Sequence, residues 1–353
     1  TEEQYQVLDG FADAPRLMIH GGAGTGKTWL ALEEAKRRAA EGQRVLLTCY
    51  NKRLGEMLAR ETAGIDLITA KHMHGWMDDL IREAGDEVSG DATMPSFWGD
   101  EFPLAAVVAL DESRDKGAYD ALIVDEAQDL LHHSLKDVWD AALRGGMAEG
   151  HWRLFYDEQQ TLFDEINQAV HDDLWSKSEH FKLTVNCRNT QSISAEVTKL
   201  SAQEMPKVLK AEGPPVAEQW FRSTEDLHVK LCESVDRCVA GGVAPNDIVI
   251  LARRKLENTP FADGIIGCAH AIQVLDAANE LDPSKVVFST ISAFKGLEAP
   301  AVIVYGIDKP EQGTTDKGMY VALSRAKALL IPIMDVKLKA AYMQLSGRPT
   351  PRA

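Results

Sequence analysis

Cysteine is scarce in this 353-residue chain. The five present, Cys49, Cys187, Cys232, Cys238 and Cys268, form no C-x-x-C pair and no Cys/His group at zinc spacing. A disulfide scaffold or zinc module is thereby excluded, and a reducing, cytoplasmic setting with ordinary thiols is expected. No apolar run reaches the ~18 residues that a membrane span needs, so no membrane partner is expected. No signal-peptide pattern opens the chain, which starts on Thr1 and not Met, as expected of a processed or excised piece. Positive charge is in deficit too: 38 Lys and Arg stand against 54 Asp and Glu, for a net charge of −16. A globally basic surface is ruled out, and any nucleic-acid binding must use a local cleft. The length predicts two domains, each large enough for its own core.

What is present is sharper. Gly21-Gly22-Ala23-Gly24-Thr25-Gly26-Lys27-Thr28 fits G-x-x-x-x-G-K-T, a P-loop. Its glycines let successive backbone N–H groups turn inward around phosphate oxygens. Lys27 is expected on the β/γ-phosphates and the Thr28 hydroxyl on Mg²⁺. Arg16 to His20 reads as the strand before the loop, and Trp29 to Ala40 as the helix after it, stopped at Gly42. The phosphate then meets a helix N-terminus, where the dipole favours anions.

A second apolar strand, Ala121 to Val124, runs into Asp125-Glu126-Ala127-Gln128-Asp129. Asp125 is expected to hold Mg²⁺, directly or through water. Glu126 is placed to orient and deprotonate the attacking water. Further strands are expected at 44–48, 66–69 and 153–156, with a loop-rich insertion over 85–103. A second series follows at 247–251, 286–290, 301–305 and 328–334. Strands alternating with helices predict an α/β fold with parallel sheets covered on both faces.

Several segments, in order, resemble the motifs of superfamily 1 helicases of the UvrD/Rep type. They are Thr1 to Gln4, Thr48 to Lys52, Thr69 to Trp76, Asp125 to Asp129, Tyr156 to Gln160, Val185 to Asn189, Phe294 to Glu298 and Tyr320 to Lys327. The resemblance implies two RecA-like P-loop NTPase domains with parallel sheets, over 1–176 and 177–353. It implies that Gln4 reads adenine and that Gln160 contacts the γ-phosphate or the attacking water, the alternative being a plain surface amide. It implies arginine fingers at Arg188 and Arg325, the alternative being surface ion pairs, and a ribose contact at Glu298. Nucleic-acid contacts are implied at Asn51, Lys52, Thr69, His74 and Trp76 in the first half and at Ser292 and Lys295 in the second. Trp76 either stacks on a base or packs in the core.

Two positions depart from the family. Cys187 replaces the aromatic that stacks on the nucleotide base, and Ser292 stands where a His is usual. The intervals between Trp76 and the Ala121 strand, and between Arg188 and Thr290, are too short for large accessory subdomains. The expected function is an ATP- and Mg²⁺-dependent helicase or translocase on single-stranded nucleic acid, DNA with 3′-to-5′ polarity. A nuclease domain or partner protein and a role in repair are compatible with it. The alternatives are an ATPase switch, stimulated by nucleic acid or a partner but without unwinding, and a P-loop ATPase without nucleic acid.

Overall fold

The computed structural model describes residues 1–88, 90–94, 96–113, 117–160, 167–259, 262, 269–275, 281–307 and 317–345. The chain divides into two compact units, Thr1–Thr184 and Val185–Ala353.

The first unit is built on six strands: β1 (Arg16–Gly21), β2 (Val45–Cys49), β3 (Ile68–His72), β4 (Ala121–Asp125), β5 (His151–Tyr156) and β6 (Glu179–Leu183). Their order across the sheet is β3-β2-β4-β5-β1-β6, and every pairing is parallel. Strand side chains alternate between faces, so each strand feeds two cores. Leu17, Ile19, Leu47 and Ile123 pack with Leu30, Ala35 and Leu54 on one face. Met18, Leu46, Leu122 and Leu154 pack with Met77, Leu110 and Trp139 on the other. The unit runs past residue 176 to Thr184 because β6 pairs with β1, Leu17 opposite Glu179 through Gly21 opposite Leu183.

The expectation of a loop through 103 is corrected. A π-helical turn at Phe97–Glu101 leads directly into a helix at Phe102–Glu112. Pro103 does not stop this helix because it sits in the first turn, where its missing N–H has no intrahelical partner to lose.

The second unit opens with the short parallel pair β7 (Val185–Asn186) and β8 (Lys207–Val208). Its main sheet holds β9 (Gln219–Phe221), β10 (Ile248–Ala252), β11 (Ile272–Val274), β12 (Val286–Thr290), β13 (Ala299–Ile307) and β14 (Ala326–Asp335). The order is β11-β12-β10-β13-β14-β9, again all parallel. Ile248, Ile250, Phe288, Ile303 and Ile333 pack under the helix Thr224–Ala240 through its Leu227, Leu231 and Val235. The fold is α/β, two RecA-like P-loop NTPase-type domains with parallel sheets. No described helix is long and apolar enough to cross a membrane. Cys49 and Cys238 are buried and Cys187 and Cys232 half-buried, and Cys268 lies outside the described residues.

Candidate functional site

The turn between β1 and the helix Lys27–Ala40 is left-handed at Gly24 (φ 78°) and Gly26 (φ 89°). Gly26 has a second reason to lack a side chain: a Cβ there would run into the Gln4 amide. Gln4 Nε2 donates to the Thr25 carbonyl at 3.2 Å, which ties the N-terminal segment to the loop. Thr25, itself buried, donates to the Gly22 carbonyl at 3.0 Å. The loop backbone is thus braced at two carbonyls, from Gln4 outside it and from Thr25 within it.

Lys27 is 6% exposed and folds back over the loop. Its Nζ donates to the carbonyls of Gly21 (2.7 Å) and Gly22 (3.1 Å) and lies 3.7 Å from Asp157 Oδ2. The sheet order explains this neighbour. β5 lies between β1 and β4, so the residue that follows β5 is set between the P-loop lysine and the acids that follow β4.

Asp125 ends β4 and is fully buried. One oxygen accepts from the Glu126 N–H at 3.0 Å, the Thr28 hydroxyl donates to the carboxylate, and Oδ2 has no hydrogen-bond partner. Burial, and then the adjacent Glu126 charge, push the Asp125 carboxyl up to about 7. A buried carboxylate oxygen without a donor, beside a threonine hydroxyl, fits an oxygen-seeking divalent cation. Among the described residues no group of three or more His, Cys, Asp or Glu could hold a metal unaided.

Glu126 is one of two non-glycine residues among those described with positive φ, at 53°. Left-handed backbone at such a residue is strained, and strain of this kind gathers where side-chain direction matters. Gln128 supports it: Nε2 donates to Glu126 Oε2 at 2.5 Å while Oε1 accepts from the Asp157 N–H at 3.0 Å. Gln160 is buried and donates to Asp157 Oδ2 at 2.6 Å, so it is not a surface amide. Burial is the main reason the Asp157 carboxyl is raised, and Lys27 opposes it. Asp157 and Gln128 lie within the matched segments Tyr156 to Gln160 and Asp125 to Asp129, but the sequence assigns neither a role. The signal available for the first was an acid immediately after a strand, which is common.

The second unit carries its own charged cluster. Glu298 pairs with Arg188 Nε at 2.6 Å and Lys327 Nζ at 2.9 Å. Burial alone would raise its carboxyl, but these cations hold it down at about 2. Arg325 is 1% exposed, and its guanidinium donates to the carbonyls of Val321 (2.9 Å) and Leu297 (3.4 Å). Arg188 is therefore an ion pair, half-buried, whereas Arg325 is not a surface group at all. Cys187 is half-buried and its thiol donates to the Val185 carbonyl.

The expected nucleic-acid residues separate. Asn51 caps the helix Lys52–Glu61, accepting from Arg53 N at 2.8 Å and Leu54 N at 3.4 Å. Lys52 and His74 come together in one cavity of the first unit. Thr69 accepts from the buried Tyr119 hydroxyl at 3.3 Å. Trp76 is corrected: it is 3% exposed, edge-on to Tyr119, and packs in the core. Met73, Trp76, Met77 and Leu80 form one helical stripe facing the sheet, which leaves no ring face for a base. Lys295 is corrected likewise, being 1% exposed. Ser292 sits in the turn after β12, its hydroxyl 3.3 Å from that of Thr290.

A family model described as an AAA domain matches residues 1–213. A second, described as a UvrD-like helicase C-terminal domain, matches residues 285–331. Among solved structures, the chain is similar to an arterivirus nonstructural protein 10, a helicase, at 13% identity and a TM-score of 0.43. That likeness covers 94% of this chain and 61% of the viral one, so this chain spans less than two thirds of the viral protein's length. No curated protein matches it.

Proposed function

This chain belongs to the AAA-domain family and is a UvrD/Rep-like superfamily 1 helicase, and on that basis we propose that it hydrolyses ATP to move along single-stranded nucleic acid, DNA in the 3′-to-5′ direction. One observation carries the ATPase half: the buried Asp125 oxygen without a donor stands beside Thr28, next to a braced P-loop. The helicase half is supported by the C-terminal family match.

In this reading the loop N–H groups and Lys27 hold the β/γ-phosphates. Lys27 exchanges its contacts with Gly21, Gly22 and Asp157 for phosphate oxygens. Thr28 and Asp125 would hold Mg²⁺, which supplies charge neutralisation at the transferring phosphate. Glu126, aimed by Gln128, accepts the proton of the attacking water. Gln160, hydrogen-bonded to Asp157, orients that water and reports its loss. Arg188 and Arg325 offset the charge that develops as the phosphoryl group transfers. Glu298 keeps acceptor sites beyond its two ion pairs for a ribose hydroxyl.

The test is the ATPase rate of the chain with and without single-stranded DNA and RNA, followed by strand separation of a 3′-tailed duplex. Stimulation by DNA together with displacement of the tailed strand supports the motor. Stimulation without any movement along the strand moves the chain to an ATPase switch. A rate indifferent to every single strand removes the motor.

A further inference from the structure

β1 and β5 lie side by side, and near their carboxyl ends two rings face each other. His20 is paired in register with Tyr156, and the rings stand 19° from parallel with centroids 5.6 Å apart. The residue after each ring reaches Lys27. The Gly21 carbonyl accepts from the lysine Nζ at 2.7 Å, and Asp157 Oδ2 lies 3.7 Å from it. Side-chain pairs of this kind hold adjacent strands in place, so the ring pair sits one residue behind two groups that hold the P-loop lysine.

The strands do not fix these rings alone. The helix Gln168–Trp175 buries Val170 and Leu174 in the core that also takes Tyr156. From the same helix His171 meets the Tyr156 hydroxyl with Nε2 at 3.3 Å, and Trp175 stands edge-on to His20 at 5.8 Å. His171 and Trp175 are one helical turn apart and stack at 5.5 Å. His180, on β6, stacks on Trp175 at 3.6 Å.

The direction of the His171 bond is set as well. Its Nδ1 lies 3.2 Å from Asp172 Oδ1, and a carboxylate can only accept. Asp172 thus keeps the proton of the neutral ring on Nδ1 and leaves Nε2 as the acceptor. Tyr156 is fully buried; burial, and then the Glu158 charge, raise its hydroxyl, which keeps its proton to donate. Burial is also the main reason that the His20 ring is lowered and stays neutral beside it. Packing alone would ask for rings here, and for neither a hydroxyl nor an oriented acceptor.

We propose that His171 and Tyr156 are positioning residues of the nucleotide site: His171, oriented by Asp172, holds the Tyr156 hydroxyl and so fixes the start of the segment Asp157–Gln160. The proposal rests on the reading that the chain hydrolyses ATP. Gln160 is anchored through Asp157, to which it donates at 2.6 Å, so a shift of Asp157 displaces the amide that orients the attacking water. Lys27 keeps its contacts within the loop, and the loop N–H groups still hold the phosphates. The loss therefore falls on turnover and not on affinity.

The experiment measures kcat and KM for ATP in the full chain, Tyr156→Phe, His171→Ala, His171→Gln and the double variant Tyr156→Phe/His171→Ala. Tyr156→Phe and His171→Ala should each lower kcat by about 10- to 100-fold, the scale of a misplacement of about 1 Å. KM should stay within about threefold, since the interaction acts on the transition state. The double variant should lose no more than either single one, because both remove the same bond. His171→Gln, whose amide oxygen replaces the acceptor, should regain most of the rate. A purely structural role would lower the melting temperature without this split and would not be rescued by glutamine. Val170, Leu174 and the Lys136–Asp173 pair at 2.6 Å still hold the helix in every variant. If His171→Ala nevertheless fails to fold, Tyr156→Phe, which loses a single oxygen, decides. Parental kcat in Tyr156→Phe, additive losses in the double variant, or a His171→Gln as slow as His171→Ala overturns the positioning roles and leaves ATP hydrolysis intact. A full chain that turns over no ATP overturns both.

Discussion

Asn189 donates to the carbonyls on both sides of Arg325, those of Ser324 at 3.0 Å and Ala326 at 2.7 Å. Its own Oδ1 accepts from Asn186 Nδ2 at 2.9 Å, and Asn186 Oδ1 accepts the Arg188 N–H at 2.9 Å. Two fully buried asparagines therefore connect the backbones that carry Arg188 and Arg325. Asn189→Ala strips donors from buried carbonyls and should cost about 1–3 kcal/mol. Asn189→Asp should be worse, because a carboxylate would face the same carbonyls. Urea denaturation of the full chain checks this, and an unchanged midpoint in Asn189→Ala would mean that the link is idle.

The two arginines should respond differently to truncation. Arg188 is half-buried and paired with the exposed carboxylate of Glu298, so Arg188→Ala should scarcely alter stability. Its ATP turnover should fall by about 10³ or more, the range for transition-state arginines. Arg325→Ala should lose turnover and stability together, since a buried guanidinium with several carbonyl partners is removed. Turnover at the parental rate in both variants would refute the arginine-finger roles.

The proposed roles of Glu126 as general base and Lys27 as phosphate cation are separable by binding. Lys27→Ala should abolish hydrolysis and weaken ATP binding, because the cation nearest the phosphates is gone. Glu126→Gln should bind ATP normally and stop turnover, since the amide cannot accept the proton of water. Equilibrium binding of labelled ATP with single-turnover hydrolysis distinguishes the two. Normal turnover in Glu126→Gln would assign the base elsewhere.

The nucleotide cradle was readable because its chemistry is local. Backbone N–H groups can converge on phosphate only where glycine allows it, and the lysine and threonine follow in sequence. The central strands were readable as continuous apolar runs, since parallel strands are buried on both faces. β6, with Glu179, His180 and Lys182, has no such run and was invisible as an edge strand. Asp157 could not be assigned because its place depends on β5 lying between β1 and β4, a relation that no short segment contains. The burial of Lys295 and Arg325 was not legible in the sequence, since charged residues are mostly exposed and nothing local to either marks it as enclosed. For Trp76 the helical stripe of Met73, Met77 and Leu80 was present in the sequence and pointed to the core.

Cys187 bears on base choice. A thiol directed at the Val185 carbonyl offers no ring to a purine, and the remaining contact expected to read adenine is Gln4, held against Thr25. A stacking interaction is worth about 0.5–1.5 kcal/mol, so GTP and CTP should be hydrolysed within about tenfold of ATP. Competition kinetics measure this. A preference for ATP beyond about a hundredfold would show that Gln4 and its surroundings suffice.

His74 predicts how stability varies with acidity. Enclosed by Tyr50, Trp98 and Phe102, it titrates at about 4 in the folded chain, against about 6.5 when unfolded. Between these values the unfolded chain takes up the proton and the folded chain does not. The contribution of the neutral ring is thus complete above about pH 6.5 and is lost progressively as pH falls toward 4. His74→Phe keeps an aromatic ring and removes the titration, so its melting temperature should fall less steeply than that of the parent over this window. The parent and variant curves should run parallel above pH 7. If they stay parallel down to pH 4, the His74 ring takes up its proton over the same range folded and unfolded, and burial does not lower it.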